Sequence, residues 1–225
     1  MGRRLFKYLK TFINCIIGLI YCGAESCILC NEYSEDSICE GCKPTLKSYN
    51  LSYAIGEKNE EYKCFSIGYY SYGIKKLILK FKYEKSFLAG DILAQLVSEF
   101  ILKEIKDKVD ILTFVPSSKK ALRERGFNQC EVICSNVSRL TNIPYKSLLK
   151  KLKETKDQIG LSTLERWNNI ADSFTYENID HIRNQKILLI DDVLTTGATA
   201  FHCAKMLKSH GAKEIYILTV AKSRV

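Results

Sequence analysis

Residues Lys186–Thr199 read KILLIDDVLTTGAT. Ile187-Leu188-Leu189-Ile190 shows no polar alternation, the pattern of a parallel strand buried on both faces. The strand is predicted to stop at Asp191-Asp192. Thr195-Thr196-Gly197-Ala198-Thr199 then offers small residues and hydroxyls just ahead of Phe201, Ala204 and Leu207, which recur at helical spacing. The predicted order is strand, loop, helix N-terminus.

A helix N-terminus presents backbone N–H groups without intrahelical partners at the positive end of the helix dipole, which suits a phosphate. Gly197 lets the backbone approach an anion closely, and the threonine hydroxyls add donors. Carboxylates beside such a cradle would repel the phosphate, so Asp191 and Asp192 should face sugar hydroxyls or Mg2+. The stretch reads as a sugar-phosphate site. It resembles the phosphoribosyl-diphosphate (PRPP) motif of type I phosphoribosyltransferases. That resemblance implies that Asp191 and Asp192 hold the ribose hydroxyls, while Thr195, Thr196, Gly197, Ala198 and Thr199 wrap the 5′-phosphate. No G-x-x-x-x-G-K-[ST] occurs, which argues against a P-loop triphosphatase.

With 225 residues, 46% of them hydrophobic, the chain is long and apolar enough for a globular protein of one or two domains. Its net charge of +9 favours polyanionic partners without choosing among diphosphate, nucleic acid and membrane surface. Of ten cysteines, four form two C-x-x-C pairs, while Cys64, Cys130, Cys134 and Cys203 fall among apolar neighbours. That usage fits a reduced, cytoplasmic chain. Cys27, Cys30, Cys39 and Cys42 match a structural Zn2+ tetrahedron, with Cys22 an alternative ligand. The first 24 residues have a basic start and apolar residues at helical spacing, predicting an amphipathic helix. The apolar run is too short to span a bilayer, and peripheral membrane contact through Arg3, Arg4, Lys7 and Lys10 stays open.

Beyond a polar connector expected over residues 51–64, Phe65–Tyr70 reads as a strand, and Ile74–Tyr83 and Leu88–Ile105 as helices. Lys75, Lys76, Lys80, Lys82 and Lys85 are expected on the outer face of the first helix, where they are a solvated face or, interleaved with tyrosines, a surface for single-stranded nucleic acid. Asp110–Pro116 is a second buried strand. It is followed by a loop in which Lys119, Lys120, Arg123 and Arg125 lie within seven residues. Ligands of open parallel sheets bind at the carboxyl ends of strands, so this basic loop and the 191–199 loop are expected to converge on one crevice. Cations there would stabilise the charge that develops on a diphosphate leaving group. Glu214–Ala221 reads as the closing strand, and His181, His202 and His210 have no ligand spacing.

Phe114-Val115-Pro116 followed by Arg123-Glu124-Arg125-Gly126-Phe127-Asn128-Gln129 is similar to the signature of the ComF competence-protein family. Thr155, Gln158, Leu161-Ser162, Glu165-Arg166, Asn169 and Phe174 match a third block of that family, in its order. The resemblance implies an α/β fold, a Rossmann-like type I phosphoribosyltransferase parallel sheet flanked by helices, behind a small N-terminal helix and zinc-ribbon segment. The domains expected are 1–50, a connector over 51–64, and 65–225. The 150–170 block corresponds in position to a lid over diphosphate, or is a charged connector. The implied function is binding of Mg2+-PRPP or another phosphorylated ribose ligand, with Lys119, Arg123 and Arg125 at the diphosphate and transfer to an acceptor the sequence does not identify. The alternative is a single-stranded-DNA-handling protein of competence and DNA uptake, with competence-machinery proteins as partners. Val225 directly follows the closing strand, so no C-terminal hood is expected, and acceptor selection would fall to the N-terminal segment or a partner chain.

Overall fold

The computed structural model describes residues 26–47, 49–57, 60–152, 173–177 and 182–224. The chain divides into two compact units, Met1–Leu46 and Lys47–Val225. The expected helix over residues 1–24, Cys22, His181 and the block from Thr155 to Asn169 lie outside the described residues. No described helix is long and apolar enough to cross a membrane.

In the first unit, the Asn31 N–H bonds Cys27 O at 2.8 Å and closes a turn around the first cysteine pair. Asn31 adopts φ 65°, a left-handed conformation that asparagine tolerates. The second pair lies on a turn where the N–H groups of Cys42 and Lys43 both bond Cys39 O, at 2.9 and 3.1 Å. A 3-10 turn, Lys43–Leu46, follows and buries Leu46.

The second unit opens with an antiparallel hairpin, β1 (Leu51–Glu57) and β2 (Glu60–Tyr69). The described residues of the expected connector, 51–57 and 60–64, therefore lie in two strands of the main sheet. Helices α1 (Tyr72–Tyr83) and α2 (Phe87–Phe100) lead through a π turn, Ile101–Ile105, to β3 (Ile111–Phe114). Then come α3 (Lys119–Arg125), α4 (Gln129–Thr141) and a two-stranded ribbon of β4 (Leu149–Lys151) with β5 (Phe174–Tyr176). Strand β6 (Lys186–Leu194), α5 (Ala198–Ser209) and β7 (Glu214–Lys222) complete the unit. Strand order is β1-β2-β7-β6-β3, and every pair except β1–β2 is parallel. The architecture is α/β, a mostly parallel mixed sheet flanked by helices.

Strand β6 is the axis of the core. Ile187 and Leu189 pack with Phe201, Ala204 and Leu207 of α5, whereas Leu188 and Ile190, of opposite parity, are equally sealed from solvent. Each such side chain contributes roughly 1.5–3 kcal/mol by its burial. The strand does not stop at the acidic pair: Asp191 pairs with Thr219, Val193 with Ala221 and Leu194 with Lys222. The partner β7 reaches Lys222, so ladder hydrogen bonds remain available beyond Asp192 and the backbone stays extended.

Candidate functional site

Beyond β6, Thr195-Thr196-Gly197 turns the chain into α5. Gly197 is the residue before the helix and takes φ 83°. A Cβ there would meet Ile55 only at 3.5 Å, so the backbone conformation, not crowding, is what requires glycine. The Ala198 N–H bonds Thr196 Oγ1 at 3.4 Å. Residues Asp191 to Ala200 line a pocket of about 180 Å³, with the start of α5 as one wall. Backbone donors and threonine hydroxyls therefore surround a space large enough for a phosphate.

The acidic pair is held from three directions. Ser118 caps α3 by accepting from Ala121 N–H at 3.1 Å, and α3 ends at Gly126, φ 85°. Asn128 then caps α4, accepting from Cys130 N–H at 3.0 Å while its Nδ2 donates to Val115 O at 3.2 Å. That clamp ties the start of α4 to the end of β3 and presents Gln129 and Cys130 to β6. Gln129 Nε2 donates to Asp192 Oδ2 at 2.6 Å, and Arg125 Nη1 donates to Gln129 Oε1 at 2.8 Å. Lys82, from the last turn of α1, pairs with the same Asp192 oxygen at 2.6 Å, with side chains 15% and 11% exposed. Asp191 Oδ1 accepts from Asp192 N–H at 2.9 Å and from Cys130 Sγ at 3.5 Å.

Burial, reinforced by the Asp192 charge, pushes the Asp191 carboxyl up to about 7. Burial opposes the Lys82 charge, but Asp192 more than offsets it and holds the ammonium above its ordinary value. Burial raises the Cys130 thiol well above its usual range, aided by both carboxylates, so it donates rather than ionises. A second recess of about 200 Å³ shares both carboxylates and is also lined by Lys82, Ser117, Arg125 and Lys151. A cation-lined recess and the pocket at a helix N-terminus thus share one acidic pair.

In the first unit, the Cys27, Cys30, Cys39 and Cys42 sulfurs lie within 4.8 Å of one another. Cys30 and Cys39 sulfurs are 3.6 Å apart, and Leu29 N–H points at Cys27 Sγ at 3.4 Å. Burial works against a Cys27 thiolate, yet backbone donors at Cys39, Cys30 and Leu29 outweigh it and bring the thiol down to about 6. Burial and then the neighbouring thiols push Cys42 up to about 12. Four crowded sulfurs suit a tetrahedral Zn2+, whose charge would favour their ionisation.

A model of the phosphoribosyl transferase domain matches residues 128–225. Competence protein F of Haemophilus influenzae is 26% identical over 88% of this chain and 96% of its own length. Competence protein ComFC of Streptococcus pneumoniae is 26% identical over 89% of this chain and 82% of its own. The chain resembles the ComF competence proteins over most of its length. Among solved structures, adenine phosphoribosyltransferase from Thermoanaerobacter pseudethanolicus is 12% identical and aligns over 80% of this chain and 99% of that one, with a TM-score of 0.41.

In this chain, Asp191, Asp192 and Thr195–Thr199 line one pocket. The basic segment is a helix rather than a loop, and that splits its cations. Arg125 lines the recess, whereas Lys119 and Arg123 are exposed and do not line it. Lys82 leaves the outer face assigned to it and enters the acidic site; Lys80 pairs with Glu84 at 3.0 Å. Sequence reasoning assigned no role to Gln129, Cys130 or an inward Lys82. The signal for Lys82 was available, since it lies four residues after Ile78, on the face of α1 that also buries Phe81.

Proposed function

We propose that the crevice around Asp191 and Asp192 binds a phosphorylated ribose, with Mg2+-PRPP the ligand that fits its two sides, and transfers the phosphoribosyl group to a nucleophilic acceptor. The observation that carries this reading is the acidic pair shared by the pocket at the start of α5 and the recess lined by Lys82, Arg125 and Lys151. The 195–199 loop would hold the 5′-phosphate through backbone N–H groups and hydroxyls. Asp191 would accept from a ribose hydroxyl, and Asp192, already fixed by Gln129 and Lys82, would orient it. Arg125, steadied by Gln129, would face the diphosphate and stabilise charge as the glycosidic bond breaks. Lys119 and Arg123 are proposed to attract the diphosphate from the rim. Mg2+, when bound with the diphosphate, supplies further neutralisation of the leaving group. The Cys27, Cys30, Cys39 and Cys42 cluster is proposed to hold a structural Zn2+. The relatives' competence names support a role alongside DNA-uptake proteins.

The two sides are tested separately by thermal shift. Ribose 5-phosphate should stabilise wild type and Arg125→Gln alike, whereas diphosphate should stabilise Arg125→Gln less than wild type. Equal diphosphate responses would remove Arg125 from the site.

A second reading, contact with single-stranded DNA, is favoured by one surface. Near the carboxyl end of β2, Arg224 lies over the Tyr69 ring at 4.6 Å and Lys75 over the Tyr70 ring at 5.7 Å. Tyr72 beside them is 65% exposed. Rings for stacking next to cations for phosphates are what sequence-tolerant binding of single strands requires. Tyr72→Ala with Lys75→Gln and Arg224→Gln should weaken retention of a labelled oligonucleotide and flatten its salt dependence. Unchanged retention would reject this surface.

A further inference from the structure

The acidic pair has the makings of a metal site, but a protein cation already stands at it. Cys130 Sγ and one oxygen from each of Asp191 and Asp192 lie within 4.8 Å of one another, a donor set that a divalent ion such as Mn2+ could accept. Lys82 Nζ sits 2.6 Å from Asp192 Oδ2. Gln129 Nε2 donates to the same oxygen, also at 2.6 Å, so that oxygen is already twice engaged.

The arrangement is built rather than incidental. Lys82 follows Phe81, which is buried and packs its ring 5.1 Å from Phe127 and 6.2 Å from Phe87. Phe127 immediately precedes Asn128, whose hydrogen bonds fix the start of α4. One aromatic cluster therefore sets the position of both the ammonium and the amide that converge on Asp192. An ammonium held there repels a second, doubly charged cation through a partly dry interior, where screening is weak.

We propose that Lys82 is the resident counter-ion of the acidic pair: it neutralises Asp192 in the free protein and excludes a protein-bound divalent ion from Cys130, Asp191 and Asp192. A divalent ion then enters this crevice only in the company of an anionic ligand that can offset the Lys82 charge. The first statement concerns the free protein and needs no assumption about which ligand is bound, so its failure and the failure of the phosphoribosyl reading are separate outcomes.

The test titrates Mn2+ alone into the full chain and follows free Mn2+ by electron paramagnetic resonance. Wild type should show no Mn2+ site that Asp192→Asn removes. Lys82→Met should gain one, on the order of tenfold tighter or more, lost again in Lys82→Met/Asp192→Asn. Its melting temperature should rise with Mn2+ while that of wild type does not. Lys82→Arg, which keeps a cation, should remain as blind to Mn2+ as wild type. A wild-type Mn2+ site that Asp192→Asn abolishes overturns the proposal, and this arm needs no folded Lys82 variant. So does a Lys82→Met protein with wild-type circular dichroism and no gain in Mn2+ binding.

Discussion

The Lys82–Asp192 pair should be energetically coupled, and the size of that coupling follows from its burial. At 2.6 Å and an effective dielectric constant near 20, the attraction is about 6 kcal/mol before desolvation is subtracted. Lys82→Met leaves a buried carboxylate with one amide donor, which should cost about 3–5 kcal/mol. Asp192→Asn strands the ammonium but keeps an oxygen for Gln129, so its cost should fall somewhat lower, about 2–4 kcal/mol. The double variant removes both charges, and much of the second penalty should vanish. The coupling should therefore be about 2–4 kcal/mol. Urea unfolding followed by circular dichroism at pH 7.5, without added divalent ions, supplies the four corners of the cycle from midpoints at a common slope. Single effects that add to the double within about 0.5 kcal/mol would refute the reasoning, because two independent surface charges behave that way.

Three further outcomes are expected. Gly197→Ala should cost about 1–2 kcal/mol of stability, the penalty of a left-handed alanine with room for its Cβ, yet weaken ribose 5-phosphate binding by more than tenfold; unaltered affinity by fluorescence titration would remove this loop from the site. The folded chain holds the Asp191 proton more tightly than the unfolded chain, where the ordinary value is 3.8. Asp191 therefore favours folding at low pH, and that contribution is lost as pH rises through about 7. Asp191→Asn should flatten the resulting fall in unfolding free energy, a few kcal/mol at most, and a slope that survives the substitution would contradict the raised value. Thiol modification with a chromogenic chelator present should release about one equivalent of Zn2+ from wild type and little from Cys27→Ser/Cys42→Ser. Release far below one equivalent would count against the four-cysteine site.

The core strand and the turn into α5 were legible in the sequence because their signals are local. Ile187–Ile190 lacks polar alternation since both faces of β6 are covered, and Gly197 marks a left-handed turn into a helix. The hairpin was harder to read. In β1, Tyr53 and Ile55 are half-buried while Ser52, Ala54 and Gly56 face outward, as suits an edge strand with one wet face, and the polar half of that alternation reads as connector. The end of β6 depended on its register with β7, which no local pattern encodes. The four cations after Val115 form a cluster in sequence, but a helix turns about 100° per residue. Arg125 consequently faces the recess while Lys119 and Arg123, four residues apart, share an exposed face. Lys82 was misassigned because a lysine on a basic helix is ordinarily solvated; only the distant Asp192 makes its burial tolerable.

The central claim is that Asp191, Asp192 and the loop behind them form a ribose-phosphate site, and calorimetric titration of Mg2+-PRPP tests it most directly. Wild type should bind with saturable heat, and Asp191→Asn/Asp192→Asn, folded by circular dichroism, should lose that binding. No binding by wild type, or equal binding by both proteins, would contradict the account.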